Sequence, residues 1–250
     1  LLPDMDQEAQ IMADDILAKV KTLTIIALVS DDEFMEQLVL KGGNAIWLIQ
    51  GNAVRQSLDL DFSLDGEWGS LDAVRSRIER LLCQTFSAEG LAAFDVKLAK
   101  APPNITDDKL GDFWAGYKLE FKLMEKRQFD RLSATPARRS ASAIQLSAGG
   151  RSAFSVDISR RENCNGKVAR DLNGYRVYTY TPLMIAAENM RAICQQMPEY
   201  RETVFSGSQR PRGKDFFDIH HLATTHVLNL ASDEAWETIC RTFEVKRVPL

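Results

Sequence analysis

Apolar positions recur at three- and four-residue intervals through residues 5–29, where Ile11, Ile16, Val20, Leu23 and Ile26 predict a long helix. Residues 30–32 can cap a second helix carrying Phe34, Met35 and Leu38. A short strand at 39–41 meets a glycine pair, and 44–50 predicts one or two helical turns. The pattern then changes to strict alternation in Leu58-Asp59-Leu60-Asp61-Phe62-Ser63. In a strand this places Leu58, Leu60 and Phe62 on one face and Asp59, Asp61 and Ser63 on the other. A turn at 66–70 leads to a helix over 71–88, with Leu71, Val74, Ile78, Leu81 and Leu82 inward. Residues 93–98 alternate as a strand, which Pro102-Pro103-Asn104 ends. Further strands are predicted at 117–123, 142–146, 154–159 and 176–180. The interval 124–141, rich in Arg, Lys, Ser and Ala, reads as a loop or a substrate-facing insertion, and 163–174 as turn-rich. From Pro182 strand signals cease, and helical patterns fill 182–197, 214–228 and 233–243.

The expected fold is α/β (α+β): a mixed sheet flanked by helices in residues 1–180, followed by a helical region in 181–250. With 250 residues the chain can form one large domain or two modest ones. A hydrophobic fraction of 45% and a charged fraction of 26% are ordinary for a globular protein in water. The net charge of -4 gives no bulk signature of a nucleic-acid binder, but a local patch remains open. Residues 118–161 hold ten Lys and Arg against four acids. Cys83, Cys164, Cys194 and Cys240 lack zinc-knuckle spacing and predict a reducing, cytoplasmic setting. No apolar run reaches membrane-spanning length.

Candidate chemistry begins with Asp59 and Asp61, two carboxylates on one strand face. Mg²⁺ is commonly held by one or two carboxylates together with substrate phosphates. A solvated acidic strand would show the same D-x-D, so the neighbours matter. Gly42 and Gly43 allow close backbone approach, and the helix start after them can cradle phosphate oxygens. Ser57 and Arg55 share the acids' parity if the strand starts early, and are then candidates for a phosphate or a bound water. In Phe154-Ser155-Val156-Asp157-Ile158-Ser159 the same construction sets Asp157 opposite to the apolar residues. Asp157 is the preferred third acid; Asp95, of identical parity, is its rival. Near the C-terminus, Arg210-Pro211-Arg212-Gly213-Lys214-Asp215-Phe216-Phe217-Asp218 opens a helix on which Lys214 and Asp218 lie one turn apart. Its apolar side is read as Phe217, Ile219, Leu222 and Ala223, and Arg212 and Lys214 can meet a triphosphate.

These segments resemble the AbiEii/AbiGii toxin family of nucleotidyltransferases, within the DNA polymerase β-like nucleotidyltransferase superfamily. The resemblance covers roughly residues 35–225. The superfamily's glycine pair and D-x-D fall on Gly42, Gly43, Asp59 and Asp61, and its third strand carboxylate fits Asp157. The family's R-x-K-D-x-x-D motif is complete as Arg212, Lys214, Asp215 and Asp218. A further family motif departs: Thr181 is followed by Glu188-Asn189 where Glu-Lys is usual, so an amide replaces a charge. Either Lys118 or Lys122 can be the family's other basic position. The resemblance implies transfer of a nucleoside monophosphate from an NTP to a hydroxyl. Asp59, Asp61 and Asp157 would hold Mg²⁺ (or Mn²⁺); Gly42, Gly43, Ser57, Arg212, Lys214, Asp215 and Asp218 would serve the nucleotide. It also implies an RNA acceptor such as tRNA, and the toxin role in a toxin–antitoxin or phage-defence pair with a separate antitoxin protein. Small-molecule modification and a non-catalytic nucleotide- or partner-binding role are the alternatives.

Overall fold

The computed structural model describes residues 5–50, 59–103, 113–132, 136–146, 152–204 and 211–250. Alternating segments become strands: β1 (Leu38–Leu40), β2 (Leu60–Leu64), β3 (Leu91–Ala101), β4 (Gly116–Glu125), β5 (Ala153–Ser159), β6 (Val168–Leu172) and β7 (Tyr175–Thr179). They form one mixed sheet in the order β3-β4-β5-β2-β1-β7-β6. β2 runs parallel to β5 and antiparallel to β1, and β1 is parallel to β7. Leu60, Phe62, Val156 and Ile158 are buried against helices. A one-residue slip would turn these apolar side chains to the other face, so burial holds the register.

The helices are α1 (Met5–Val29), α2 (Asp32–Gln37), α3 (Gly42–Gln50), α4 (Leu71–Ala88), α5 (Lys126–Arg131), α6 (Pro136–Ala141), α7 (Pro182–Cys194), α8 (Gly213–Thr225) and α9 (Asp233–Glu244). Side-chain caps fix several starts: Asp31 accepts from the amides of Glu33 and Phe34, Ser70 from Ala73, and Thr181 from Met184. α1 packs on α4, and α4 on β3, burying Ile78, Leu82 and Phe86. α7 packs against both α8 and α9. The main core also includes Met184, Ile185, Ala186 and Leu222, while Phe113, Tyr200, Val204, Phe243 and Val248 form a smaller cluster.

Four expectations are corrected. Within the 124–141 interval, β4 continues to Glu125 and two short helices, α5 and α6, follow. Residues 142–146 form no strand: the Ile144 amide donates to the Leu123 carbonyl at 2.8 Å, without a ladder. The turn-rich reading of 163–174 missed β6, joined to β7 through Asn173 and Gly174. Their φ angles of 54° and 85° give the two left-handed positions of a tight hairpin turn. On α8, Leu222 is buried but Phe217 is 53% exposed, its ring stacked on His221 one turn away.

β4 passes close to β5 at Gly116. A Cβ there would stand 2.5 Å from the Ile158 carbonyl oxygen, a backbone atom that cannot turn aside. Gly116→Ala is therefore expected to lose ~1–3 kcal/mol of stability, the usual scale of overpacking. Urea unfolding of variant and parent checks this; equal midpoints would show that the strands can part there without cost.

Candidate active site

The sheet brings residues from distant parts of the chain into one transverse row. Asp61 on β2 is paired in register with Asp157 on β5, and Asp157 with Lys118 on β4. Directly paired residues share a face, so these three side chains lie side by side, opposite the buried Leu60 and Phe62. Beyond β2 the row continues to Lys41, whose amide donates to the Asp61 carbonyl at 2.9 Å. Asp59 stands just before β2, its carbonyl accepting from Asn44 Nδ2 at 2.8 Å.

Asp95, the rival acid, is elsewhere. A bulge between Phe94 and Lys97 breaks the alternation of β3, and β4 separates that strand from β5. Its carboxylate pairs with Lys122 at 3.1 Å and Lys97 at 3.5 Å. Lys118 thus stands in the carboxylate row, and Lys122 belongs to the Asp95 cluster.

The glycine turn meets the same row. Gly42 has φ +62°, a conformation that favours glycine, and a Cβ on it would lie 3.4 Å from Asp61 Oδ2. It also opens α3, with Gly43 in the first turn. Free amides and the positive end of the helix dipole therefore adjoin Asp61. Ser57 and Arg55 lie outside the described residues.

The two carboxylates paired in the row resist ionisation. Burial raises the Asp61 pKa to about 7; Lys41 opposes that rise, and Glu188, Asp157 and Asp59 add to it. Burial also raises Asp157, with Lys118 opposing and Asp59 and Glu120 reinforcing. Like charges directly opposite on neighbouring strands destabilise a sheet, and such perturbed carboxylates concentrate at functional sites. Among the described residues no group of three His, Cys, Asp or Glu forms a ready metal cage. The fit is to an ion with one or two protein carboxylates and the rest of its shell from substrate, which is the habit of Mg²⁺.

Behind the row is a buried ion network that sequence reading missed. Lys41 Nζ meets Glu188 Oε1 at 2.6 Å and Glu162 Oε1 at 3.5 Å. Arg191 reaches Glu188 at 3.2 Å and Glu162 at 3.5 Å, and Lys246 reaches Glu162 at 3.3 Å. Lys246 also donates to the carbonyls of Phe113 and Arg160. The end of β1, the segment after β5, α7 and the C-terminal segment are thereby joined. Burial disfavours the charge on Lys41, yet Glu162 and Glu188 outweigh it and raise its pKa. The one signal in sequence was Glu188, within a family motif. Its neighbour Asn189 has a buried Nδ2 with no hydrogen-bond partner.

The last motif occupies the start of α8. Arg212 Nη1 pairs with Asp215 Oδ2 at 3.2 Å, while Lys214 and Asp218 lie on the same helix. α8 rests on α7, the helix whose Glu188 grips Lys41 beside the glycine turn.

The family model "Nucleotidyl transferase AbiEii toxin, Type IV TA system" matches residues 26–249. The chain belongs to the AbiEii family. No protein of curated function matches it significantly. Among solved structures, an antigenic nucleotidyltransferase-like protein from Paracoccidioides brasiliensis shares 13% identity over 92% of this chain and 93% of its own, with a TM-score of 0.42. JHP933 from Helicobacter pylori shares 17% over 94% and 80%, at a TM-score of 0.44. A putative nucleotidyltransferase from H. pylori shares 17% over 92% and 80%, at 0.45. The AbiEii fold is seen here as a mixed α/β sheet flanked by helices, with a helical C-terminal region. Among the described residues no helix is long and apolar enough to cross a membrane.

Proposed function

We propose that this AbiEii-family chain transfers a nucleoside monophosphate from an NTP to an acceptor hydroxyl on RNA, with tRNA the acceptor that the family resemblance favours. The observation that carries this is the like-charge pair Asp61–Asp157 set beside the Gly42 turn. Two neighbouring carboxylates held at a cost to the sheet are arranged for a cation and a phosphate, not for folding.

Asp61 and Asp157, with Asp59 adjoining, would hold Mg²⁺ (or Mn²⁺). When bound, such an ion would neutralise phosphate charge and ease ionisation of the attacking hydroxyl. Asp157 orients the acceptor hydroxyl and accepts its proton at the carboxylate. The hydroxyl oxygen forms a bond to the α-phosphorus as the bond to pyrophosphate breaks. The amides of Gly42, Gly43 and the first turn of α3 receive phosphate oxygens, and Arg212 and Lys214 hold the outgoing pyrophosphate. Asp215 orients Arg212 through the pair already described, and Asp218 supports the same helix start. Basic side chains on α5 and α6, among them Arg127, Arg131 and Arg138, offer a surface to an RNA backbone. The cellular role is that of the toxin in a toxin–antitoxin or phage-defence pair, countered by a separate antitoxin protein.

The test incubates protein, Mg²⁺, each labelled NTP in turn and total RNA. Label is expected in RNA with the parent and not with Asp157→Asn; no labelled RNA with any NTP would overturn the reading. Lys214→Ala should weaken NTP binding by about ten-fold, the scale of one charge-assisted contact. RNA affinity should remain. The opposite split would move this helix start to the acceptor side.

A further inference from the structure

Beside the edge strand β3 lies a cavity of about 530 Å³, well inside the roughly 300–1,000 Å³ range of small-ligand sites. Its walls come from α4, from β3 around Phe94 and Asp95, and from the basic helices α5 and α6. β4 and β5 lie between β3 and the strand of Asp61, so this space is separate from the carboxylate row.

The lining is tightly constructed. Asp95 has φ +54° within the β3 bulge, a left-handed conformation rare for a residue with a side chain. Such strain persists where the surroundings hold it, and bulges commonly re-aim a side chain. Lys122 secures the Asp95 carboxylate and also donates to Ser140 Oγ on α6 at 2.9 Å. Arg139 lays its guanidinium over the Phe129 ring at 3.9 Å, and Phe129 meets Phe94 at 5.5 Å between centroids. Arg139 Nε is buried with no hydrogen-bond partner.

The wall chemistry narrows the ligand. Phe94, Phe129 and the flat Arg139 group suit a planar ring. Glu79 and Asp95 accept hydrogen bonds; Lys126 and Arg139 donate them. Glu79, Asp95 and Lys126 already meet Arg75, Lys122 and Asp130, and a purely apolar ligand would leave the buried Arg139 Nε without a partner. A simple anion would leave the rings uncovered and face two carboxylates. A flat heterocycle with both N–H donors and ring or carbonyl acceptors satisfies every wall, and a phosphate attached to it would meet Lys126. We propose that this cavity binds one nucleotide, its base against Phe94, Phe129 and Arg139.

That chemistry has two sources: a free nucleotide, or one nucleotide of an RNA chain whose end lies at the carboxylate row. The second source rests on the function proposed above. Lys118 beside Asp157 and Lys122 beside Asp95 share a face of β4, about 13 Å apart at four strand residues. One chain could follow that face from one site to the other.

The test titrates full-length protein by calorimetry with AMP, CMP, GMP and UMP, and with a short single-stranded oligoribonucleotide blocked at its 3′ end. Asp61→Asn is present throughout to prevent turnover. The comparison adds Ser87→Trp, which places an indole in the cavity from an exposed wall position on α4 without removing a charge. Binding should weaken about ten-fold or more, the scale of losing one stacked base. Weakening of the mononucleotides identifies the free-nucleotide source; weakening of the oligonucleotide alone identifies the RNA chain. If both bind unchanged to a variant melting within about 2 °C of its parent, the proposal is overturned. Should Ser87→Trp not fold, Asp95→Asn gives the same reading by removing an acceptor. An absence of NTP transfer by the otherwise unmodified protein would sink the proposed activity alone, since the mononucleotide titrations decide the cavity independently.

Discussion

Asp61→Asn is expected to abolish transfer while making the protein more stable. The substitution keeps the shape of the side chain and removes a charge that the fold holds unwillingly. Folded, Asp61 has a pKa of about 7 because burial, assisted by its anionic neighbours, penalises ionisation; unfolded, the value returns to about 3.9. The folded state therefore binds the extra proton between these values, and stability falls as pH rises from about 4 to 7. Above pH 7 the whole penalty is present, and there the amide should gain most, ~1–3 kcal/mol after allowance for solvent and relaxation. For a chain of this length that is a rise of roughly 2–8 °C in melting temperature. Below about pH 4 the gain should vanish, because the parent carboxyl is then neutral too. Transfer should fall on the order of 10³-fold, as when one transition-state charge contact is lost. Melting curves at pH 8 and pH 4, beside the labelled-RNA assay, decide the matter. A variant less stable than its parent at pH 8 would show that Asp61 serves packing, and parental turnover would remove it from the reaction.

Glu162→Gln should have the largest effect on stability. Glu162 is buried among Lys41, Arg191 and Lys246. Burial opposes its charge, but the three cations prevail and depress its pKa to about 2. Removing one partner from a buried ion group typically costs ~3–5 kcal/mol, since the remaining charges are stranded. Here three cations would be left with Glu188 as the remaining anion of the network. The pH dependence has the opposite sign to that of Asp61. A carboxylate whose folded pKa is depressed contributes stability above its unfolded value, and loses it as pH falls from about 4.3 through 2. The parent should lose stability through that window more steeply than Glu162→Gln. Urea unfolding at pH 7 and pH 3 measures both effects; a pH 7 loss below about 1 kcal/mol would mean that the network orders the site without stabilising the fold.

Local patterns were legible where local physics decides them. The helix read at 71–88 is α4, Leu71–Ala88, because an apolar stripe and the Ser70 cap together specify the element. Alternation likewise placed Asp61 and Asp157 opposite their apolar neighbours. Strand parity, however, names a face and not a neighbour, so it ranked Asp95 almost level with Asp157. Strand order and the β3 bulge separated them. β6 is a different case: Asn173-Gly174 between two short segments is a local hairpin signal inside the turn-rich 163–174 stretch.

The family motifs, the helix limits set by caps, and the face on which β2 and β5 carry their acids are local properties of the chain. All of these depend on residues within a turn or two of one another. Which acids meet, which lysine joins them, and what stands behind the glycine turn depend instead on long-range packing. Lys41 finds Glu162 and Glu188 across separations of 121 and 147 residues. No periodicity reports such a meeting, because burial of the sheet and docking of α7 and the C-terminal segment are what force these charges together.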